Sequence, residues 1–245
     1  MQIINSASQG GALAAIQVGP TASRPASGGA NNIIYQCTDS PYEFLWNGSA
    51  WLAFAFGFLV VPPNSANFTQ INTDRSTLAT TNGGIMQSVT AAGFAEDMQI
   101  LGTPLPATPY YMDVAFLTQG NVGNGGIGIG IGAGNLRSNA LEFQQWLYDQ
   151  NSLLGWSQRS YNNYNTDSSV NASLTSITQT APMMWMRIHD DGTNLTYFTG
   201  PNGYIWTQQY THLRGSFLTP AYGLLVVSPY QLTSLTHWLH FSFHT

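Results

Sequence analysis

The chain reads as an all-β protein, and three observations carry that reading. Apolar residues recur at every second position: Ile127, Ile129 and Ile131 alternate with Gly128, Gly130 and Gly132, and Leu52, Phe54, Phe56 and Phe58 alternate with Trp51, Ala53, Ala55 and Gly57. Period two belongs to strands and not to helices. Turn signals separate the runs, among them Pro62-Pro63-Asn64, Asp191-Gly192 and Asn202-Gly203, and many short strands between turns predict a sandwich or barrel. Only "ALEFQQWLYDQ" invites a helix, through Ala140, Phe143 and Leu147; its neighbours are strands, and it is read as one.

Residues 1 to 32 are rich in Gly, Ala, Ser and Pro, with "GPTASRPASGGANN" a loop. Strands follow at Ile33–Asp39 and Tyr42–Gly48, joined by a "DSP" turn, and the run from Ala50 to Val61 makes a third. Pro62 and Pro63 then end the strand and stiffen a link. This predicts an N-terminal segment, 1–61, and a second domain, 62–245. Within the second, strands are expected at Gly84–Ala91, Met98–Leu101, Tyr110–Leu117, Gly126–Gly132 and Leu141–Tyr148. Five more are expected at Met183–His189, Leu195–Thr199, Ile205–Tyr210, Tyr222–Val227 and Trp238–Phe243.

The stretch "GNVGNGGIGIGIGAGN" contains Gly123, Gly125 and Gly128 in the spacing of a dinucleotide loop. That loop needs a helix behind it, and four glycines in a helix would each cost about 1 kcal/mol against alanine. A strand whose glycine face lies close to another backbone or a large side chain fits better.

Composition excludes several functions. Of 245 residues 43% are hydrophobic and 13% aromatic, so material for a core is ample. Only 7% are charged, against about 25% in an average soluble domain. There is no lysine, and the arginines (Arg24, Arg75, Arg137, Arg159, Arg187 and Arg214) are scattered. Nucleic-acid binding, which needs clustered cations, is not expected. Cys37 is the single cysteine, so neither an intrachain disulfide nor a cysteine zinc site is expected. The longest apolar run, Ala50–Val61, is shorter than a membrane helix requires. Residues 2–19 lack the basic and apolar regions of a secretory signal, so the sequons at Asn47, Asn67, Asn171 and Asn194 are expected to stay unused.

Two stretches resemble known families. Residues 22–51 carry Arg24, Pro25, Gly28, Tyr35, Thr38, Asp39, Trp46, Asn47, Gly48 and Trp51. In this order they resemble a β-hairpin motif of bacteriophage tail-fibre and structural proteins, where it joins an anchoring region to a distal domain. Residues 183–210, "MMWMRIHDDGTNLTYFTGPNGYIWTQQY", are similar to hairpins of concanavalin A-like (lectin- or glucanase-type) jelly-roll domains. The resemblances imply an antiparallel jelly-roll β-sandwich preceded by a small N-terminal β-hairpin. They also imply a virion protein, assembled in the host cytoplasm as a homotrimer, with other virion proteins as partners of its N-terminal segment.

Fold does not give function, so the chemistry is weighed site by site. Glycosidases need two carboxylates across a cleft. Glu96 and Asp97 are adjacent and Glu142 and Asp149 stand an odd number apart, so neither pair shares a strand face. "HDDGTN", 189–194, has oxygen ligands for calcium, but Asp and Asn are also what a hairpin turn takes. At "HWLHFSFH" the Leu239, Phe241 and Phe243 face is expected in the core, with His240, His244 and Trp238 at a surface or subunit contact. No G-x-S-x-G elbow occurs. No enzyme, cofactor or metal is expected, with polysaccharide cleavage the enzymatic alternative. Trp156, Tyr161, Asn162 and Tyr164 lie in the least strand-like stretch and are the expected exposed patch for a host surface glycan. There the rings would offer an apolar surface and the amides hydrogen bonds. The rival is a capsid or tail decoration protein with no ligand.

Overall fold

The computed structural model describes residues 16–27, 33–37, 43–46, 49–54, 61–81, 83–90, 97–119, 126–148, 153–164, 166–175, 184–201, 203–229 and 233–245. Contacts divide the chain into two compact units, Met1–Leu59 and Val60–Thr245.

In the first unit β1 (Ile16–Gly19) runs parallel to β2 (Ile33–Cys37), and β2, β3 (Glu43–Trp46) and β4 (Trp51–Phe54) continue as an antiparallel meander. The sequence reading has no strand at β1. Residues 38–42 and 55–60, the expected turn and the rest of the apolar run, lie outside the described residues. The loop holds the hairpin through named contacts. The Arg24 guanidinium lies 3.8 Å from the Phe44 ring centroid, and Trp51 Nε1 donates to the Pro25 carbonyl at 2.8 Å. Trp51 also meets Trp46 at 5.3 Å between centroids.

The second unit holds two seven-stranded sheets. One is ordered β13-β12-β11-β10-β17-β8-β5: β5 (Thr69–Asn72), β8 (Gln99–Pro104), β10 (Gly126–Gly132), β11 (Leu141–Tyr148), β12 (Leu153–Asn163), β13 (Thr166–Thr175) and β17 (Tyr222–Ser228). The other is ordered β16-β15-β14-β9-β18-β7-β6: β6 (Ser76–Thr81), β7 (Gly84–Val89), β9 (Tyr110–Gln119), β14 (Met184–Asp190), β15 (Asn194–Gly200), β16 (Thr207–Leu213) and β18 (Ser234–His244). Every pairing in both is antiparallel. The chain crosses between sheets from β5 to β6, β7 to β8, β8 to β9, β9 to β10, β13 to β14, β16 to β17 and β17 to β18. This is the antiparallel jelly-roll sandwich.

The core lies between the inner faces. Ile127, Ile129, Ile131, Trp146, Trp156, Leu225 and Val227 meet Met112, Val114, Phe116, Met186, Ile188 and Trp238, all buried. Each such side chain stabilises the fold by about 1.5–3 kcal/mol on burial. The alternation of β10 now has its cause. A Cβ on Gly128 or Gly130 would press on the carbonyl oxygen of Gln144 or Glu142 in β11, so a bare position is required. Gly126–Gly132 is thus a strand interior; Gly123 and Gly125 lie outside the described residues. A second apolar cluster (Met98, Ile100, Leu141, Phe143, Tyr161, Tyr164, Leu224 and Val226) lies on the other face of that sheet, equally buried.

One face assignment is corrected. Trp238, expected on the surface beside His240 and His244, is fully buried in the core, while Phe241 and Phe243 also pack on it. The reason is a β-bulge: Trp238 pairs with Phe116 and His240 with Ala115, so Leu239 is the extra residue. One extra residue reverses which parity faces inward. Trp238 is therefore not available as a subunit contact.

Candidate functional site

The face of the β16–β6 sheet turned away from the core carries a connected group of polar and aromatic side chains. β9 lies between β14 and β18. With Met112, Val114 and Phe116 directed inward, Tyr111 and Asp113 project outward. Register places Tyr111 opposite both His189 and His244, and Asp113 opposite both Arg187 and Ser242. Directly opposed side chains stand about 5 Å apart, and the rings use that spacing. Tyr111 stacks on His189 at 4.1 Å between centroids and on His244 at 5.2 Å, with interplanar angles of 8° and 15°. The result is a ladder of three parallel rings standing on the sheet.

Arg187 is fixed from three sides. Its Nε and Nη2 each donate to Asp113 at 2.6 Å, a bidentate pair. Its guanidinium carbon lies 4.7 Å from the Tyr111 centroid and 4.2 Å from that of Trp206. Trp206 in turn meets Trp185 edge to face at 6.3 Å. His244 Nε2 lies 3.0 Å from Asp113 Oδ2, so two nitrogen groups share one carboxylate. Burial alone would raise the Asp113 pKa, but the hydrogen bonds from Arg187 and His244 and the Arg187 charge outweigh it, and the carboxyl sits below its ordinary range. Thr196, opposite His189, continues the face toward Thr211, whose hydroxyl lies 2.5 Å from its own.

The residues expected at a glycan patch are placed otherwise. Residues 153–163 form β12, and Trp156, Tyr161 and Tyr164 are 1%, 1% and 2% exposed; of the four, only Asn162 is exposed. The exposed aromatic patch is therefore corrected. Trp156 faces Trp146 across β11 and enters the core, while Tyr161 and Tyr164 belong to the apolar cluster on the opposite face of the same sheet. Polar neighbours in "QRSYNNYN" give that stretch a loop-like composition, while its alternate positions are internal.

The carboxylates considered in sequence are dispersed. Asp97 is bonded by Arg75 at 2.6 Å. Glu142 is buried between the sheets, accepts from the Tyr197 hydroxyl at 3.0 Å and lies 3.0 Å from His212 Nε2. Burial and the neighbouring Glu142 push the Tyr197 hydroxyl pKa up. Glu96 and Asp149 lie outside the described residues. Within "HDDGTN" residues 191–193 turn the chain from β14 into β15: Asp191 Oδ1 accepts from the backbone of Thr193 and Asn194, Gly192 has φ +89°, and Asp190, the last residue of β14, is held by Arg214 at 2.9 Å. Among the described residues no three His, Cys, Asp or Glu side chains form a metal-binding group.

Tyr111, Asp113, Arg187, His189 and His244 were not singled out together in the sequence. Their alternation within "YYMD" and "RIH" was legible, but their convergence depends on β9 lying between two strands distant in the chain.

No protein-family model and no curated protein matches the chain. Solved structures do. A functionally unknown protein from Saccharomyces cerevisiae aligns over 74% of this chain and 98% of its own, with 11% identity and a TM-score of 0.51. A mutant of the GH43 protein BlXynB from Bacillus licheniformis aligns over 82% of this chain at 9% identity and a TM-score of 0.50. That match spans 46% of the Bacillus chain, less than half of its length. A legume lectin-like domain from Entamoeba histolytica gives 11% identity and a TM-score of 0.48, over 73% of this chain and 90% of its own. The first two matches agree with the strand topology in defining the class, a jelly-roll sandwich, and at such identities they speak for fold alone.

Proposed function

We propose that the sandwich is a non-enzymatic glycan-attachment module of a bacteriophage virion protein, carried outward by the N-terminal unit on a homotrimer. The observation that carries the binding reading is the ring ladder His189–Tyr111–His244 beside Arg187 and Trp206. Its rings are locked by stacking and its guanidinium by a bidentate carboxylate, so little ordering is left for binding to bring about. Imidazole, phenol and guanidinium groups in a row suit a chain of hydroxyls, and the indole offers an apolar surface to a sugar's C–H face. The virion context rests on the resemblance of residues 22–51 to phage fibre hairpins. Within that hairpin Arg24 and Trp51 hold the loop and strands together.

Binding is favoured over cleavage by the charges on this face. Hydrolysis calls for two carboxylates, and Asp113 is the single carboxylate among the described residues of the outer face of β9, β14 and β18, already engaged by Arg187 and His244. The test is retention of the protein on a panel of bacterial polysaccharides, with new reducing ends measured in the same wells. Retention without cleavage is expected, and Tyr111→Ala should weaken it about tenfold or more while the sandwich stays cooperatively folded, its melting temperature lowered by roughly 2–10 °C for the lost stacking. No retention on any polysaccharide would overturn the proposal in favour of a decoration protein. New reducing ends would overturn its non-enzymatic part.

A further inference from the structure

Resting on the attachment reading, we infer that the glycan taken by this face is uncharged. A polyanion is held by cations whose charge is not already matched. Arg187 is the one arginine on this face among the described residues, and both oxygens of Asp113 meet its Nε and Nη2 at 2.6 Å. An acidic sugar would approach the guanidinium with the Asp113 carboxylate already in place behind it, and its own negative charge would meet that one. No lysine stands elsewhere in the chain to make up the attraction, and the formal net charge is −5. The other polar groups match neutral hydroxyls in kind: the Tyr111 phenol, the guanidinium edge turned away from Asp113, and the hydroxyls of Thr196 and Thr211, bonded to each other, and of Ser242, 2.9 Å from His240 Nε2, which keep lone pairs for a further bond. Stacking between Tyr111 and Trp206 holds that edge in a fixed direction.

The experiment compares uncharged polysaccharides with uronate- and sialate-bearing ones at pH 7.5, each from low to high sodium chloride. The protein should retain uncharged polysaccharides to the same extent across the salt series, because no net charge is being matched. It should pass acidic ones through. Asp113→Asn removes the matching charge while keeping the size of the side chain. It should gain about tenfold in retention of acidic polysaccharides at low salt, a gain that high salt abolishes. If the variant fails to fold, the salt series on the unaltered protein still decides. Retention of acidic polysaccharides by the unaltered protein, eluted by salt, would overturn the inference and leave attachment standing. Retention of neither class would overturn the attachment reading and this inference with it.

Discussion

Asp113 is the residue on which the outer face turns, and its environment makes a pH prediction with a definite sign. Its carboxyl is held below the ordinary range by hydrogen bonds from Arg187 and His244 that outweigh the opposing effect of burial. A group depressed in the folded state stabilises the fold above its unfolded pKa, about 3.9 for aspartate, and loses that contribution as pH falls through the folded value. Asparagine at the same position cannot titrate. The unaltered protein should therefore melt higher than Asp113→Asn at neutral pH, and the gap should begin to narrow below about pH 5 and go on narrowing as pH falls through the folded value. A gap that stays constant through that window would mean that the Asp113 charge contributes nothing to the folded state. Asp191 is also depressed, by the backbone N–H groups of Asn194 and Thr193, but it is fully exposed and should leave the gap unaffected.

At the scale of the element, β18 shows how one residue allocates two faces. Ser234–Trp238 pair with β7 in one parity, and after the bulge His240–His244 pair with β9 in the other. Inserting one alanine between His240 and Phe241 should force Ser242 and His244 inward and Phe241 and Phe243 outward. The combined loss of apolar burial and burial of unpaired polar groups should cost roughly 5 kcal/mol or more, seen as lost near-ultraviolet ellipticity and lost cooperativity in urea. Leu239→Ala, which preserves the count, should cost about 1 kcal/mol. Bulges also set what was legible in the sequence. β10 and β11 carry the ends the sequence predicts: unbroken alternation of isoleucine with glycine marks β10, and β11, whose pattern also fits a helix, is read as a strand from its neighbours. β12 and β13 were missed. Their pairing shifts register after Gln158, Ser160 and Tyr161, and Ser, Asn and Gln occupy positions on both sides. β5 and β6, at the far edges of the two sheets, read "TQIN" and "STLATT" and offer too little apolar contrast to declare a strand. The ring ladder was illegible for another reason: its members are ordinary alternate residues until three strands distant in sequence are set side by side.

At the scale of the whole molecule, the division at Leu59/Val60 predicts which truncation should preserve the sandwich. Val61 N–H donates to His240 Nδ1 at 2.9 Å, and Phe241 N–H donates to the Val61 carbonyl at 3.0 Å. These bonds tie the start of the unit to the strand that carries His244. A fragment beginning at Val60 keeps both; one beginning at Pro62, where the proline pair suggests a boundary, loses both. Each hydrogen bond contributes about 1 kcal/mol, and in a domain of this size each kcal/mol is worth roughly 2–4 °C. The fragment from Pro62 should therefore melt roughly 4–8 °C below the fragment from Val60. Light scattering on the same samples tests the proposed assembly. If trimerisation resides in the first unit, the full chain should have three times the mass of one copy and the Val60 fragment the mass of one. A trimeric Val60 fragment would move the subunit contacts onto the sandwich. Equal melting temperatures for the two fragments would mean that the strand end holding His240 and Phe241 is stable without its anchor at Val61.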